Sequence, residues 1–422
     1  MISTLKTFLQ PLKNLTETTN SLAWYLTSLA ASAPKHSLEH ASDLSGIHDS
    51  QFSRLLASSR SESELILSDL SRKAVKILSK TESHLTSILG KLPWKAYVII
   101  DSTPQKRSAS KAENIARFNL GGGFWFGHRW TNVVLLINGH LIPLVPIPYR
   151  SKNECKKLGI QHKTENELIC EYLERLDIAR FVPDIDPQDV AVLLDAGYDA
   201  KTVQNKILSN EWTLLTAIGS DRNIFVCHSN PSHYGTQESE IGVVNAFRRF
   251  SRRAKKITCR LPKLQGQKKR KTFIVNRIHG DLKGVRGHEM AILASKTIRH
   301  DKVKYIACSM SGLPTWKIVQ AFSLRFFIEQ FHKEIKQFFG FEDVASQKFD
   351  SVISHVNFVY SVHILLNILY RDKRIGMKEK QELFTELLKK KEANKLIQLS
   401  TRFNGPDEIR KYFKEKFGNL AA

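Results

Sequence analysis

Two short apolar runs, Tyr97–Ile100 and Val190–Leu194, each lead straight into an aspartate, Asp101 and Asp195. Runs of this length without polar alternation read as strands buried on both faces. Helical patterns follow at Glu165–Leu176 and Ala200–Ser209, and a third apolar run lies at Thr213–Ile218. Strands alternating with helices predict an α/β sheet with helices packed on it. Ligands of such sheets gather beyond the carboxyl ends of the strands, where both aspartates fall. A hairpin is expected between Val133–Ile137 and Leu141–Ile147, because Asn138-Gly139 is a turn dipeptide.

The flanks differ in character. Residues 1–92 contain no convincing strand and read as helices at Leu5–Leu15, Ser21–Ala31, Leu38–Leu44, Ser50–Ala57 and Ser63–Leu89. Within them, residues 38–58 have the spacing of a helix-turn-helix, with Gly46 in the turn and Ile47, Phe52 and Leu55 as packing positions. Gln51 and Arg54 would then face bases or phosphates. The plainer reading is a helical pair in a small bundle. The element pattern divides the chain at 1–92, 93–219, 220–312, 313–375 and 376–422: a helical segment with the helix-turn-helix candidate, an α/β segment, a basic strand-rich segment, long helices and a helical tail.

Charge narrows the partner. With 64 Lys and Arg against 41 Asp and Glu, the net charge is +23. Such an excess favours a polyanion through phosphate neutralisation and counterion release. Arg248–Lys271 alone holds 12 cations and no acid, including Arg252, Arg253, Lys269 and Arg270. No basic amphipathic or lipidated segment points to a membrane partner. The apolar stretch Val356–Tyr370 is too short to span a bilayer and reads as a buried helix. Five scattered cysteines without a CxxC pair suggest reduced thiols in a cytosolic protein rather than a zinc site.

The segment 314–338 reads as one long helix with two stripes. Phe322, Arg325, Glu329, Lys333 and Lys336 share one; Leu324, Ile328, Phe331, Ile335 and Phe338 form an apolar one beside it. Alone, the first stripe could be a surface face with ion pairs four residues apart. Together with two strand-end aspartates, Glu329 completes a set of three carboxylates from distant segments. Two hard cations such as Mg²⁺, or Mn²⁺ in its place, require such oxygen ligands and can serve an in-line phosphodiester displacement. Trp316, Phe326 and Phe327 lie nearby, as core residues or as platforms for a base. Gly121-Gly122-Gly123 lacks a following Gly-Lys-Ser/Thr and reads as a hairpin, not a phosphate loop.

In order and spacing, VIIDSTPQKR, LLDAGYDAK and FSLRFFIEQFHKEIK resemble the three catalytic motifs of bacterial insertion-sequence DDE transposases. The last motif of the subgroup reads Tyr-(2)-Arg-(3)-Glu-(6)-Lys, and Phe322, Arg325, Glu329 and Lys336 fall at those spacings. Phe322 replaces the family tyrosine and loses its hydroxyl contact to a 5′ phosphate. Gly127-His128, leading into a strand, adds a weaker likeness. The resemblance covers roughly residues 94–370. It implies a ribonuclease-H-like catalytic domain with a β-rich insertion, and Asp101, Asp195 and Glu329 as ligands of two Mg²⁺ ions. It also implies double-stranded transposon-end and target DNA as substrates, phosphate contacts from Arg325 and Lys336, and a homodimer in the synaptic complex. A bacterial cytoplasmic, nucleoid-associated location follows as an expectation. The competing readings are a transposase-derived DNA-binding protein that no longer cuts, a helix-turn-helix regulator, and a plain Mg²⁺ nuclease.

Overall fold

The computed structural model describes residues 7–12, 20–81, 86–107, 111–120, 123–229, 236–261, 269–298, 302–344 and 346–400. The amino-terminal segment is helical among these residues. It contains α1 (Asn20–Ala30), α2 (Leu38–Ser45), α3 (Asp49–Ser58) and α4 (Arg60–Leu78). Ser37 caps α2 by accepting from the amide of His40, and Gly46 ends it in the left-handed region, φ 72°, where a side chain would be strained. Phe52 and Leu56 of α3 are buried, so α2 and α3 pack as a pair around the Gly46 turn. The helix expected over Ser63–Leu89 is shorter, because α4 stops at Leu78.

The rest is a mixed α/β architecture built on one large sheet. Its strands are β1 (Ala96–Lys106), β2 (Ala116–Leu120), β3 (Gly123–Ile137), β4 (His140–Pro143), β5 (Ile147–Pro148), β6 (Val190–Leu194), β7 (Thr213–Ile218), β8 (Asn223–Ser229), β9 (Thr236–Gly242), β10 (Lys255–Leu261), β11 (Lys269–Leu282), β12 (Val285–Thr297) and β13 (Lys304–Cys308). The order along the sheet is β2-β3-β1-β6-β7-β13-β12-β11-β8-β9, with β4 and β5 on β3 and β10 on β11. The pairs β1–β6 and β6–β7 are parallel; the others are antiparallel. The strand-rich region 220–312 therefore continues the central sheet through β13 beside β7.

Every residue of β6 and β7 is buried, as expected of unalternating apolar strands. Asn138 (φ 49°) and Gly139 (φ 82°) make the tight turn from β3 to β4. Strand β3 begins ten residues earlier than its apolar run, at Gly123, because its front half pairs with β2 and with the second half of β1. For the same reason β1 does not end at Asp101 but continues to Lys106.

Helix α6 (Lys201–Ser209) packs on β7, and α5 (Glu165–Arg175) packs on α6 and β5. The segment expected as one helix is two, α7 (Thr315–Phe322) and α8 (Phe326–Phe338), joined by a tighter turn at Ser323–Arg325. Leu324, Ile328, Phe331 and Ile335 of the apolar stripe are buried. Helix α9 (Phe349–Leu369) is long and apolar enough to cross a membrane, yet it is enclosed on nearly all sides. Its neighbours are α4, α3 and α1. Asn357 donates to Ser63 Oγ at 3.0 Å, and His355 Nδ1 pairs with Tyr25 Oη at 2.7 Å. Helix α10 (Met377–Ser400) closes the described chain against α8 and α9.

Candidate active site

Register puts the two aspartates side by side. The last parallel pair of β1 and β6 is Ile100 with Leu194, so Asp101 and Asp195 are the next residues on neighbouring strands. Neighbouring strands lie about 4.8 Å apart, which holds two carboxylates close at one end of the sheet. Glu329 enters from α8, which packs against β1.

The three acids meet on Arg325. Its Nη1 lies 3.5 Å from Asp101 Oδ2 and 3.6 Å from Asp195 Oδ2, and its Nη2 lies 2.5 Å from Glu329 Oε1. Arg325 is only 13% exposed, whereas Asp195 and Glu329 are about half exposed, 46% and 48%. Asp195 and Glu329 therefore form an open rim, while Asp101, 21% exposed, lies deeper beside the largely covered guanidinium. Burial pushes the Asp101 carboxyl up to about 6; Arg325 works against that rise, and the charges of Asp195 and Glu329 add to it. Among the described residues no three His, Cys, Asp or Glu side chains stand close enough to share one metal ion. The carboxylates converge, but around an organic cation.

The donor set suits a hard divalent ion: oxygen ligands only, from three segments, open to solvent on one side. One guanidinium cannot cancel three carboxylates. The positive charge still missing is what metal ions would supply, more than making up for a displaced Arg325.

Behind the acids lies a network that sequence reading missed. Asn132 of β3 stands opposite Asp101, donates to His332 Nε2 at 2.7 Å and accepts from Tyr360 Oη at 2.5 Å. Burial holds His332 down to about 3, so the ring is neutral and can accept. Glu165 gathers a second set: its Oε1 accepts from Thr131 (2.7 Å) and Tyr198 (2.8 Å), and its Oε2 pairs with Arg129 at 3.1 Å. Arg129 also donates to Ser102 Oγ, next to Asp101, at 3.0 Å. His332 was legible as the third residue after Glu329, on the same helical face. Asn132 and Glu165 needed the β1–β3 register, which no local pattern announces.

The remaining expected residues are spread out. Lys336 is half-buried and points to Glu342 at 3.7 Å and toward the Phe341 ring, not to the three acids. Burial lowers its ammonium below the ordinary value. Lys333 is exposed on α8, and Phe322 is partly buried against the core. Phe326 is exposed, Trp316 partly so, and Phe327 is buried. Gln51 and Arg54 are exposed on α3, where Arg54 donates to Ser50 Oγ at 3.3 Å. His48 caps that helix, its ring accepting from the Ser50 amide. Arg252 and Arg253 are exposed on the short helix Phe250–Arg253. Arg270 is exposed on β11; Lys269 opens the same strand, and its side chain lies outside the described residues. Gly121 and Gly122 lie outside them too, between the paired strands β2 and β3.

No protein-family model matches this chain, and no curated protein matches it either.

Proposed function

We propose that this chain is a DNA transposase with a ribonuclease-H-like catalytic core, an amino-terminal DNA-binding helical domain and a β-rich insertion. The observation that carries the reading is the convergence of Asp101, Asp195 and Glu329 on one guanidinium from three distant segments. A structural ion pair needs one acid; three around one arginine leave unbalanced negative charge at an open surface. Where DNA must approach, that charge is unfavourable unless cations accompany it.

Asp101, Asp195 and Glu329 would hold two Mg²⁺ ions, which supply an activated water or 3′-hydroxyl nucleophile and neutralise the phosphate in an in-line displacement. The protein's own part is positional. Parallel strands fix the two aspartates in register, and α8 presents Glu329 beside a buried apolar stripe. Asn132, His332 and Tyr360 brace the floor beneath Asp101. Once released from the acids, Arg325 can reach a phosphate oxygen with its planar pair of donors. Gln51 and Arg54 read or grip the transposon end, the basic strands β10 and β11 add phosphate contacts, and a homodimer pairs two ends.

A second reading, a transposase-derived DNA-binding protein without cleavage, draws support from the Arg325 contacts and from Phe322 at the tyrosine position. Metal-dependent cleavage separates the two. Wild type should nick DNA with Mg²⁺ or Mn²⁺, and Asp101→Ala, Asp195→Ala and Glu329→Ala should each abolish nicking while leaving DNA affinity within about threefold, since removing an acid removes no phosphate contact. A variant that keeps near-full nicking removes its residue from the site; a wild type that binds DNA but never nicks favours the second reading.

A further inference from the structure

Beyond the three acids, β3 carries a feature that the catalytic reading does not use. Side chains alternate along a strand, so Asn132, His128, Phe126 and Phe124 share the face on which Asp101 stands opposite Asn132. His128 is buried, but Phe124 and Phe126 are 55% and 49% exposed. Their rings meet edge to face, 6.0 Å between centroids. Arg117, from β2, lies over the Phe124 ring at 3.8 Å and is itself exposed. On the opposite face, Phe118 and Trp125 pack on each other at 5.3 Å. One face of the hairpin is thus occupied by its own rings, and the other offers rings to solvent.

Two exposed rings on an extended ribbon need an occupant, and charge selects it. Residues 102–131 hold five cations (Lys106, Arg107, Lys111, Arg117, Arg129) and one acid, Glu113. That acid accepts from the Phe349 amide at 2.8 Å, at the start of α9. Glu113 is exposed, Arg129 pairs with Glu165, and Lys106 falls on the other face of the ribbon, so Arg117 is the cation shown beside the rings, within a segment that carries a net excess of positive charge. Exposed rings with a cation stacked on one of them fit unpaired nucleotides, whose bases stack on rings while a phosphate meets the cation.

We propose that the β2–β3 hairpin is a stacking platform for unpaired bases of the DNA strand engaged at Asp101; the proposal rests on the nuclease reading above and adds a second contact to it. Phe126 lies six residues along β3 from Asn132 and Phe124 eight, which is about 20–27 Å at ~3.4 Å per residue.

The test uses the full chain, a fluorescent thirty-nucleotide oligothymidine and a random-sequence duplex of equal length. Phe124→Ser/Phe126→Ser should weaken oligothymidine binding roughly tenfold or more while changing duplex binding less than about twofold. Arg117→Gln should lower single-strand affinity and flatten its salt dependence by about one charge. Sedimentation of the double variant should match wild type. Unchanged oligothymidine affinity in the double variant overturns the platform and leaves the nuclease reading standing. A double variant that binds both DNAs normally but loses self-association assigns the rings to a second copy of the chain, which also overturns it. A wild type that binds neither DNA removes both this proposal and the nuclease reading.

Discussion

A guanidinium held 3.5 Å from one aspartate, 3.6 Å from another and 2.5 Å from a glutamate is attracted by more charge than it can cancel. Arg325 therefore acts as a resident cation, and any divalent ion entering the site competes with it. Two like charges a few ångströms apart repel by several kcal/mol at intermediate dielectric, so Arg325→Gln should tighten Mn²⁺ binding without DNA by about tenfold or more. Electron paramagnetic resonance of free Mn²⁺ reads this directly; unchanged or weaker binding would show that Arg325 does not compete. If the proposed nuclease function holds, the same variant should also lose cleavage, because it lacks the paired donors that would grip a phosphate oxygen.

The strands and helices show what could be read from sequence and what could not. The apolar runs ending at Asp101 and Asp195, the apolar stripe of α8 and the Gly46 turn were legible because each is a local pattern: buried strand, amphipathic helix, left-handed cap. The long reach of β1 and β3 was not, since Ser102–Lys106 and Gly123–Asn132 are polar or aromatic and become strands only by pairing with each other. Gly127 marks that pairing: a Cβ there would stand 2.0 Å from the Gln105 carbonyl oxygen. Gly127→Ala should destabilise the fold by about 1–3 kcal/mol or more through overpacking, read as a lower urea midpoint. A midpoint equal to wild type would mean the two strands can separate freely.

Packing of α9 on its neighbours gives the fold a pH dependence. His355 accepts from Tyr25 and donates to the Gly340 carbonyl, and burial lowers its pKa to about 4; burial likewise lowers His128 to about 4. Both rings are neutral in the fold and protonate near 6.5 when unfolded. The unfolded chain thus binds more protons between about pH 6.5 and 4, so stability is intact above that window and falls as pH drops through it. The loss is up to about 3 kcal/mol per ring, since each pKa unit is worth about 1.4 kcal/mol. Urea unfolding at pH 7.5 and pH 5.0 checks this; an unchanged midpoint would contradict neutral burial of the two rings.

Over the whole molecule, the positive charge is not spread evenly. Strands β10 and β11 pair Arg260 directly against Arg270, an arrangement that costs stability in isolation. A polyanion removes that cost. Arg260→Gln/Arg270→Gln should therefore reduce the slope of log affinity against log salt by about 2, with no loss of stability. A slope equal to wild type would place the DNA elsewhere. The decisive measurement on the three-acid site comes from crystals grown with DNA and Mn²⁺. Anomalous scattering peaks are expected among Asp101, Asp195 and Glu329, with Arg325 withdrawn to a phosphate. Arg325 still seated between the acids, with manganese bound elsewhere or not at all, would contradict it.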